Sequence, residues 1–311
     1  MDKDLAVAAI DCGTNSTRLL ISDFSGNTKV RLSEITRLGQ GVDSSGLLDQ
    51  RAINRTIDVI KKYKKIMDEN NVSSFRITAT SAARDASNRD DFFNPVKELL
   101  SKPPELLSGE EEGQLSFLGA TAGIDNNLAP FVVVDLGGGS TEFVMETTTG
   151  KKHEFEAVST DMGCVRITER FLHTDPPSEQ ELHLAFEEIN FQLENVVKIL
   201  PGIKSVRTLV GVAGTITTLA AINLKLDSYD PNLTHHYRLL KKDIKAIFQN
   251  MISQNRDQRS KISGLEDQRA DIIIGGTAIL IALMDYFGFD SCLVSESDIL
   301  DGLVMSQLKD I

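Results

Sequence analysis

Two acids in this chain stand where an apolar run stops abruptly. Val7-Ala8-Ala9-Ile10 runs into Asp11 and then Cys12-Gly13-Thr14-Asn15-Ser16, and Val132-Val133-Val134 runs into Asp135, Leu136, three glycines, Ser140, Thr141 and Glu142. An acid followed by glycines at a strand end sets a carboxylate beside backbone that a ligand can approach closely, since glycine lacks a Cβ and allows positive φ. Such a turn can wrap a phosphate with N–H and hydroxyl donors. The donors would be Gly13, Thr14, Asn15 and Ser16 in the first copy and Gly137, Gly138, Gly139, Ser140 and Thr141 in the second. Asp11 or Asp135 would then hold Mg²⁺, a hard cation that takes one or two carboxylates plus phosphate oxygens. One such turn alone reads rather as a tight hairpin with a capping Asp. Two copies, VAAIDCGTNSTRLLIS aligned on VVVDLGGGSTEFVME, form a weak internal repeat and tip the reading toward phosphate.

A third glycine-bearing segment, GVAGTITTLAA at 211–221, follows the apolar run Val206–Val210 and passes into a helix-forming tail. Free N–H groups and the helix dipole make that junction, at Gly211, Gly214 and Thr215, a place for bound anions. The acidic cluster Glu110-Glu111-Glu112 between Gly109 and Gly113 is a helix start with acids well placed against the dipole. Beside phosphate loops, a carboxylate here could also take the proton from an attacking water in phosphoryl transfer. Arg18 and Arg84 are the candidate charge neutralisers, because each follows a strand-to-turn transition; Arg166 and Arg269 do not and rank below them.

The elements that must carry these residues are mixed α/β. Leu5–Ile10 and Arg18–Ser22 read as strands of a hairpin, with the next turn at Ser25-Gly26-Asn27, and Arg31–Arg37 reads as a third strand. Leu48–Asn70 has helical spacing at Ile53, Ile57, Ile60, Tyr63 and Met67, and Phe75–Ala79 is a strand leading into TSAAR. The polar stretch Ile124–Pro130 separates this half from the second strand–glycine turn, which places a domain boundary at 125/126: residues 1–125, then 126–311. Ser178-Glu179-Gln180-Glu181 satisfies a capping box, so a helix is expected from about Ser178 to about Leu200. Asp267–Met284 and Asp298–Lys309 read as further helices, the last of which can pack back on the first domain.

Composition narrows the class. The 311 residues are 41% hydrophobic and 25% charged, enough for two ordinary domains. The longest apolar stretch, Ile272–Met284, is shorter than the roughly 20 residues a bilayer span requires and reads as a core helix. Residues 1–10 show no basic stretch followed by an apolar one, so no secretory signal is expected and the expected location is cytoplasmic. Three cysteines far apart, Cys12, Cys164 and Cys292, support neither a disulfide framework nor a zinc site, and His235-His236 reads as a solvated loop pair. The net charge of −12 argues against a nucleic-acid surface but not against a polyanionic small molecule held by a local cluster of arginines and amides.

In order along the chain, AIDCGTNSTRLLI, TATSAARDA, LSGEEEGQLSFLGA, VVVDLGGGSTEFV, STDMGCVRITERF, TDPPS, VGVAGTITTLAA and LEDQRADIIIGG closely resemble the exopolyphosphatase and guanosine pentaphosphate phosphohydrolase family. The resemblance covers nearly the whole chain. It implies a duplicated actin-like (ribonuclease H-like) α/β fold of two domains with the active site in the interdomain cleft. It also implies Mg²⁺-dependent removal of the terminal phosphate from inorganic polyphosphate or from guanosine pentaphosphate, and a homodimer. The family's catalytic glutamate falls on Glu112, its glycine-loop acids on Asp135 and Glu142, and its first-loop acid on Asp11. Its phosphate-binding arginines fall on Arg18 and Arg84, and its second-domain phosphate loop on Gly211, Gly214 and Thr215.

Some members carry extra C-terminal domains, including an HD-type helical one, for which a chain ending at Ile311 leaves no room. The acidic balance offers no basic track for a long polyanion, so short polyphosphates are the expected substrates. Three other readings compete: the pentaphosphate as the preferred substrate, an ATP-dependent sugar or acetate kinase of the same superfamily, and a non-catalytic alarmone sensor. A kinase would need an acceptor pocket with its own catalytic Asp, and a pure binder would have no use for a base at Glu112.

Overall fold

Strand β1 (Ala6–Cys12) is buried along its whole length. Its side chains alternate between two apolar clusters: Ala6, Ala8, Ile10 and Cys12 join one, Val7 and Ala9 the other. That is why an unbroken apolar run, rather than an alternating one, forms this strand. The computed structural model describes residues 5–147 and 154–309. The chain divides into two compact units, residues 1–119 with 299–311 and Ala120–Asp298.

In the first unit, β1 pairs antiparallel with β2 (Ser16–Asp23), which pairs antiparallel with β3 (Thr28–Ile35). On its other side β1 runs parallel to β4 (Val72–Ala79), and β4 to the short β5 (Glu105–Leu106). The sheet order is β3-β2-β1-β4-β5. Helix Gln50–Glu69, capped by Asp49 through the N–H groups of Arg51 and Ala52, buries Ile53, Ile60, Tyr63 and Met67 in the first cluster. Tyr63 reaches the sheet and donates to the Thr17 carbonyl at 2.9 Å.

The second cluster is closed by helix Ile299–Lys309, through Ile299, Leu300, Leu303 and Val304. Gln307 of that helix donates to the Ala8 carbonyl and accepts from Ser74. Gly302 lets the helix lie against Leu115 of helix Gly109–Thr121, since a Cβ at 302 would stand 2.1 Å from the Leu115 carbonyl oxygen.

The second unit repeats the plan. Strand β6 (Phe131–Leu136) pairs antiparallel with β7 (Thr141–Thr147), and β7 with β8 (Glu154–Thr160). On the other side β9 (Thr208–Val212) and then β11 (Ser291–Val294) run parallel to β6, and β10 (Arg238–Leu240) adds an antiparallel edge. Apart from that edge, the order β8-β7-β6-β9-β11 matches that of the first sheet. The chain is therefore a duplicated actin-like, ribonuclease H-like α/β fold, and the internal repeat is structural.

Helix Ile273–Phe287 is buried from Ile273 to Met284, as befits a helix apolar on every face inside a protein core. Among the described residues no helix is long and apolar enough to cross a membrane. Gly275 and Gly276 in it give room to Thr168 and Thr215, whose hydroxyls would meet a Cβ at 2.6 and 2.4 Å.

Several local expectations shift. The third strand begins at Thr28, ahead of Arg31, because its exposed polar residues still complete the ladder to β2. The single helix expected over Asp267–Met284 is two pieces, a 3₁₀ turn at Asp267–Arg269 and the long helix from Ile273. Helix Glu179–Ile199 has its reciprocal cap between Ser178 and Glu181. The cysteines are free and buried, and burial pushes the Cys292 thiol up to about 12 and raises that of Cys12, which keeps both protonated. His235 and His236 stack with ring centroids 3.8 Å apart; His236 is exposed, while half-buried His235 accepts the Glu296 N–H at Nδ1.

Gly302→Ala should lower stability by about 1–3 kcal/mol, as overpacking against a rigid carbonyl does, read as a drop in the urea midpoint. Hydrogen bonds from Thr174, Ser178 and His173 hold the Glu181 carboxyl at about 2. Its contribution is complete above the usual glutamate value and is lost as pH falls toward 2. Glu181→Gln should therefore melt below wild type at neutral pH, with the gap in Tm closing between about pH 4.5 and 2.

Candidate functional site

Each unit makes the same turn after its first strand. Gly13 N–H donates to the Ser16 carbonyl at 3.0 Å, and Gly137 N–H to the Ser140 carbonyl at 3.1 Å. In the first turn the carbonyl of Asn15 accepts from Thr36 and Arg37, and that of Thr14 from Gly39. A trans peptide points its N–H opposite to its C=O, so the amides of Asn15 and Ser16 face away from segment 36–39. Among the described residues, the Asn15 side-chain Nδ2 is a buried donor with no acceptor, a group that a bound oxyanion would satisfy.

The second turn is held in the same way. The carbonyls of Gly137 and Gly138 accept the N–H groups of Cys164, Val165 and Arg166, which open helix Cys164–Phe171. The Gly139 carbonyl accepts Arg166 Nε at 2.6 Å. The amides of Gly138, Gly139 and Ser140 are thereby turned to the opposite side, a concave set of N–H donors suited to an anion. Gly163 makes this docking possible, since a Cβ there would lie 2.3 Å from the Gly138 carbonyl oxygen. Arg166 is thus a strut of the glycine loop, and Thr141 adds a second by donating its hydroxyl to the Met162 carbonyl.

What differs is the residue opposite the acid. Asp11 faces Arg18 across β1 and β2, whereas Asp135 faces Glu142 across β6 and β7. The first is an ion pair, Arg18 Nη2 to Asp11 Oδ2 at 2.7 Å, with Thr78 donating a long hydrogen bond to Oδ1. The second brings two carboxylates together, Asp135 at 6% and Glu142 at 1% exposure, with Ser159 donating to Glu142 Oε1 at 2.7 Å. Opposed buried acids repel unless a cation lies with them, so this donor set fits a hard divalent ion that takes two carboxylates and fills its sphere with water and phosphate oxygens. Among the described residues no three acidic, His or Cys side chains form a closed metal cage.

The three glutamates of 110–112 differ in exposure and in their partners. Glu110 is exposed, and Glu111 reaches back to the N–H and hydroxyl of Ser108, whose hydrogen bonds hold its carboxyl below the usual range. Glu112 lies 13% exposed and accepts Arg84 Nη1 at 2.7 Å, while the same nitrogen donates to the Leu107 carbonyl. The structure therefore brings Arg84 and Glu112 together, and Asp11 with Arg18.

The third loop lies at the end of β9. Ala213, with φ of +75°, precedes helix Gly214–Asn223 and gives it no side-chain cap. A non-glycine residue in that conformation costs on the order of 1–3 kcal/mol, and such strain gathers at functional sites. The guanidinium of Arg269 lies directly on Gly214: a Cβ there would meet Nη1 at 2.1 Å and Cζ at 2.5 Å. Glu266 pairs with Arg269 Nε at 3.1 Å, and the guanidinium beside the start of helix Gly214–Asn223 makes Gly214, Thr215 and Arg269 a set suited to an anion. Sequence reasoning ranked Arg269 low, because it reaches Gly214 from far along the chain and no local spacing marks it.

Over 317 aligned residues the chain is 41% identical to exopolyphosphatase 2 of Mycobacterium tuberculosis, covering 96% of this chain and 98% of that protein. It is 28% identical to the guanosine-5'-triphosphate,3'-diphosphate pyrophosphatase of Vibrio vulnificus, over 98% of this chain and 59% of that one. The solved structure of the Aquifex aeolicus PPX-GPPA enzyme superposes with a TM-score of 0.79 at 36% identity, covering 97% of this chain and 99% of that one. With the model of the Ppx/GppA phosphatase family matching residues 26–311, the chain belongs to that family.

Proposed function

We propose that this protein is an exopolyphosphatase: it removes the terminal phosphate of inorganic polyphosphate, preferring short chains, by in-line attack of water. The observation that carries the reading is the Arg84–Glu112 pair, a carboxylate able to take a proton held by a cation able to take a phosphate oxygen. Phosphoanhydride hydrolysis asks the protein for little else than positioning, charge neutralisation and a proton acceptor. Glu112 accepts the proton of the attacking water. Arg84, Arg18 and the amides and hydroxyls of Gly13–Ser16 hold phosphate oxygens, as do Gly137–Thr141 and Gly211, Gly214 and Thr215, the last group with Arg269.

Asp135 and Glu142 would hold Mg²⁺, which when bound neutralises charge on the phosphate oxygens. Asp11, expected as a further ligand, is here assigned to orienting Arg18, because its Oδ2 already carries that guanidinium. The net charge of −12 leaves attraction of the substrate to these local cations and supports the preference for short chains. Hydrolysis of guanosine pentaphosphate is the second reading, favoured by the Vibrio relative. A cytoplasmic homodimer completes the proposal, with the mass in solution as its check.

Purified protein with Mg²⁺ should release phosphate fastest from short-chain polyphosphate when offered that substrate, long-chain polyphosphate, guanosine pentaphosphate and ATP in parallel. Preference for the pentaphosphate would install the second reading, and preference for ATP would remove both. Glu112→Gln should lower kcat by about 10²–10⁴ with an unchanged Tm, and wild-type turnover in that variant would end the assignment of the base. Glu142→Gln should weaken Mg²⁺ binding measured by calorimetry by at least about tenfold, no less than the loss of an outer-shell partner.

A further inference from the structure

The arch between helices Lys241–Ile252 and Ile273–Phe287 carries three arginines, of which one, Arg259, is nearly buried, with its side chain 4% exposed. Its Nη1 donates to the Gln254 carbonyl at the start of the arch, and its Nε to the Ala270 carbonyl at the end, at 3.0 Å. The same Nη1 pairs with Asp175 Oδ1 at 2.8 Å. The other oxygen of Asp175 accepts the Arg256 N–H at 2.6 Å, and Arg256 reaches forward to Asp267. One carboxylate in the TDPPS segment thus fastens two arginines, and one of these grips the residue next to Arg269.

Tying a loop with a buried guanidinium is costly where apolar packing would serve for stability, so its use here fits a demand for a fixed geometry. The demand is visible at Gly214, where the Arg269 guanidinium leaves no space for a methyl group. Displacement of a binding group by about 1 Å can cost on the order of 10² in rate.

We propose that Asp175 and Arg259 are a positioning pair whose task is to set Arg269 over Gly214 for substrate binding. This rests on the reading of Arg269 as a phosphate-binding residue. Asp175 and Arg259 do not themselves touch substrate; they act through the Ala270 carbonyl and the closed arch.

The test is a double-mutant cycle in kcat and KM for tripolyphosphate with Mg²⁺, on wild type, D175N, R259K, R269A, D175N/R269A and R259K/R269A, with a thermal melt of each. D175N and R259K should each lower kcat/KM about tenfold, mainly through KM, and in the R269A background either should change it less than about twofold. A purely structural pair would lower kcat/KM by the same factor in both backgrounds, and that outcome would overturn the proposal. So would wild-type kcat/KM in both D175N and R259K. Wild-type kcat/KM in R269A would instead overturn the phosphate-binding reading of Arg269 and remove the pair's task with it. Should D175N fail to fold, the R259K arm completes the cycle alone.

Discussion

A carboxylate buried at the end of a β-strand has to be neutralised, and the two halves of this duplicated fold do so by different means. In the first, the residue facing Asp11 across the hairpin is Arg18, and the two form an ion pair. In the second, the facing residue is another acid, Glu142, so the same backbone position sets two carboxylates opposite each other, an arrangement that fits a cation. One difference at an equivalent position thus gives the copied scaffold two electrostatic characters, a cation–carboxylate pair in one half and opposed carboxylates in the other.

The surrounding structure makes that difference usable by fixing the backbone. In both turns the carbonyls are occupied by a neighbouring segment, Thr36–Gly39 in one unit and Gly163–Arg166 in the other, so the amides present themselves without any ligand to organise them. Preorganised N–H donors lose little freedom on binding, which is the condition under which electrostatic stabilisation of a phosphoryl transition state is largest. Beneath them, apolar packing on both faces of β1, and the glycines at 163, 275, 276 and 302 that allow backbone and side chains to approach closely, hold the strands rigid.

Much of this was legible in the sequence because it is written locally. The two strand–acid–glycine turns, the apolar run of β1 and the Ser178–Glu181 cap each depend on residues a few positions apart, and each is present in the structure. The choice among Glu110, Glu111 and Glu112 was open to residue reasoning and rested on the resemblance, because what distinguishes Glu112 is its pairing with Arg84, a residue of a different segment. Arg269 on Gly214 and the unusual φ of Ala213 were not legible, since tertiary packing imposes both. The break before Ile273 was missed because segment 267–271 is rich in helix-compatible residues and holds no Gly or Pro to mark the turn.

That an acidic protein should handle a polyanion follows from the same division of labour. Overall charge sets the long-range field, which is screened within about 10 Å at moderate salt, whereas binding is decided by groups in contact. The arginines offered above as phosphate ligands each hold an acid here, Arg18 with Asp11, Arg84 with Glu112 and Arg269 with Glu266. Such pairs can exchange a carboxylate for a phosphate oxygen without leaving the guanidinium desolvated and bare. In the proposed reaction, drawing Arg84 to a phosphate oxygen would take from the Glu112 carboxylate the cation that stabilises its charge and make it a better proton acceptor. A single ion pair would then couple substrate binding to activation of the nucleophile.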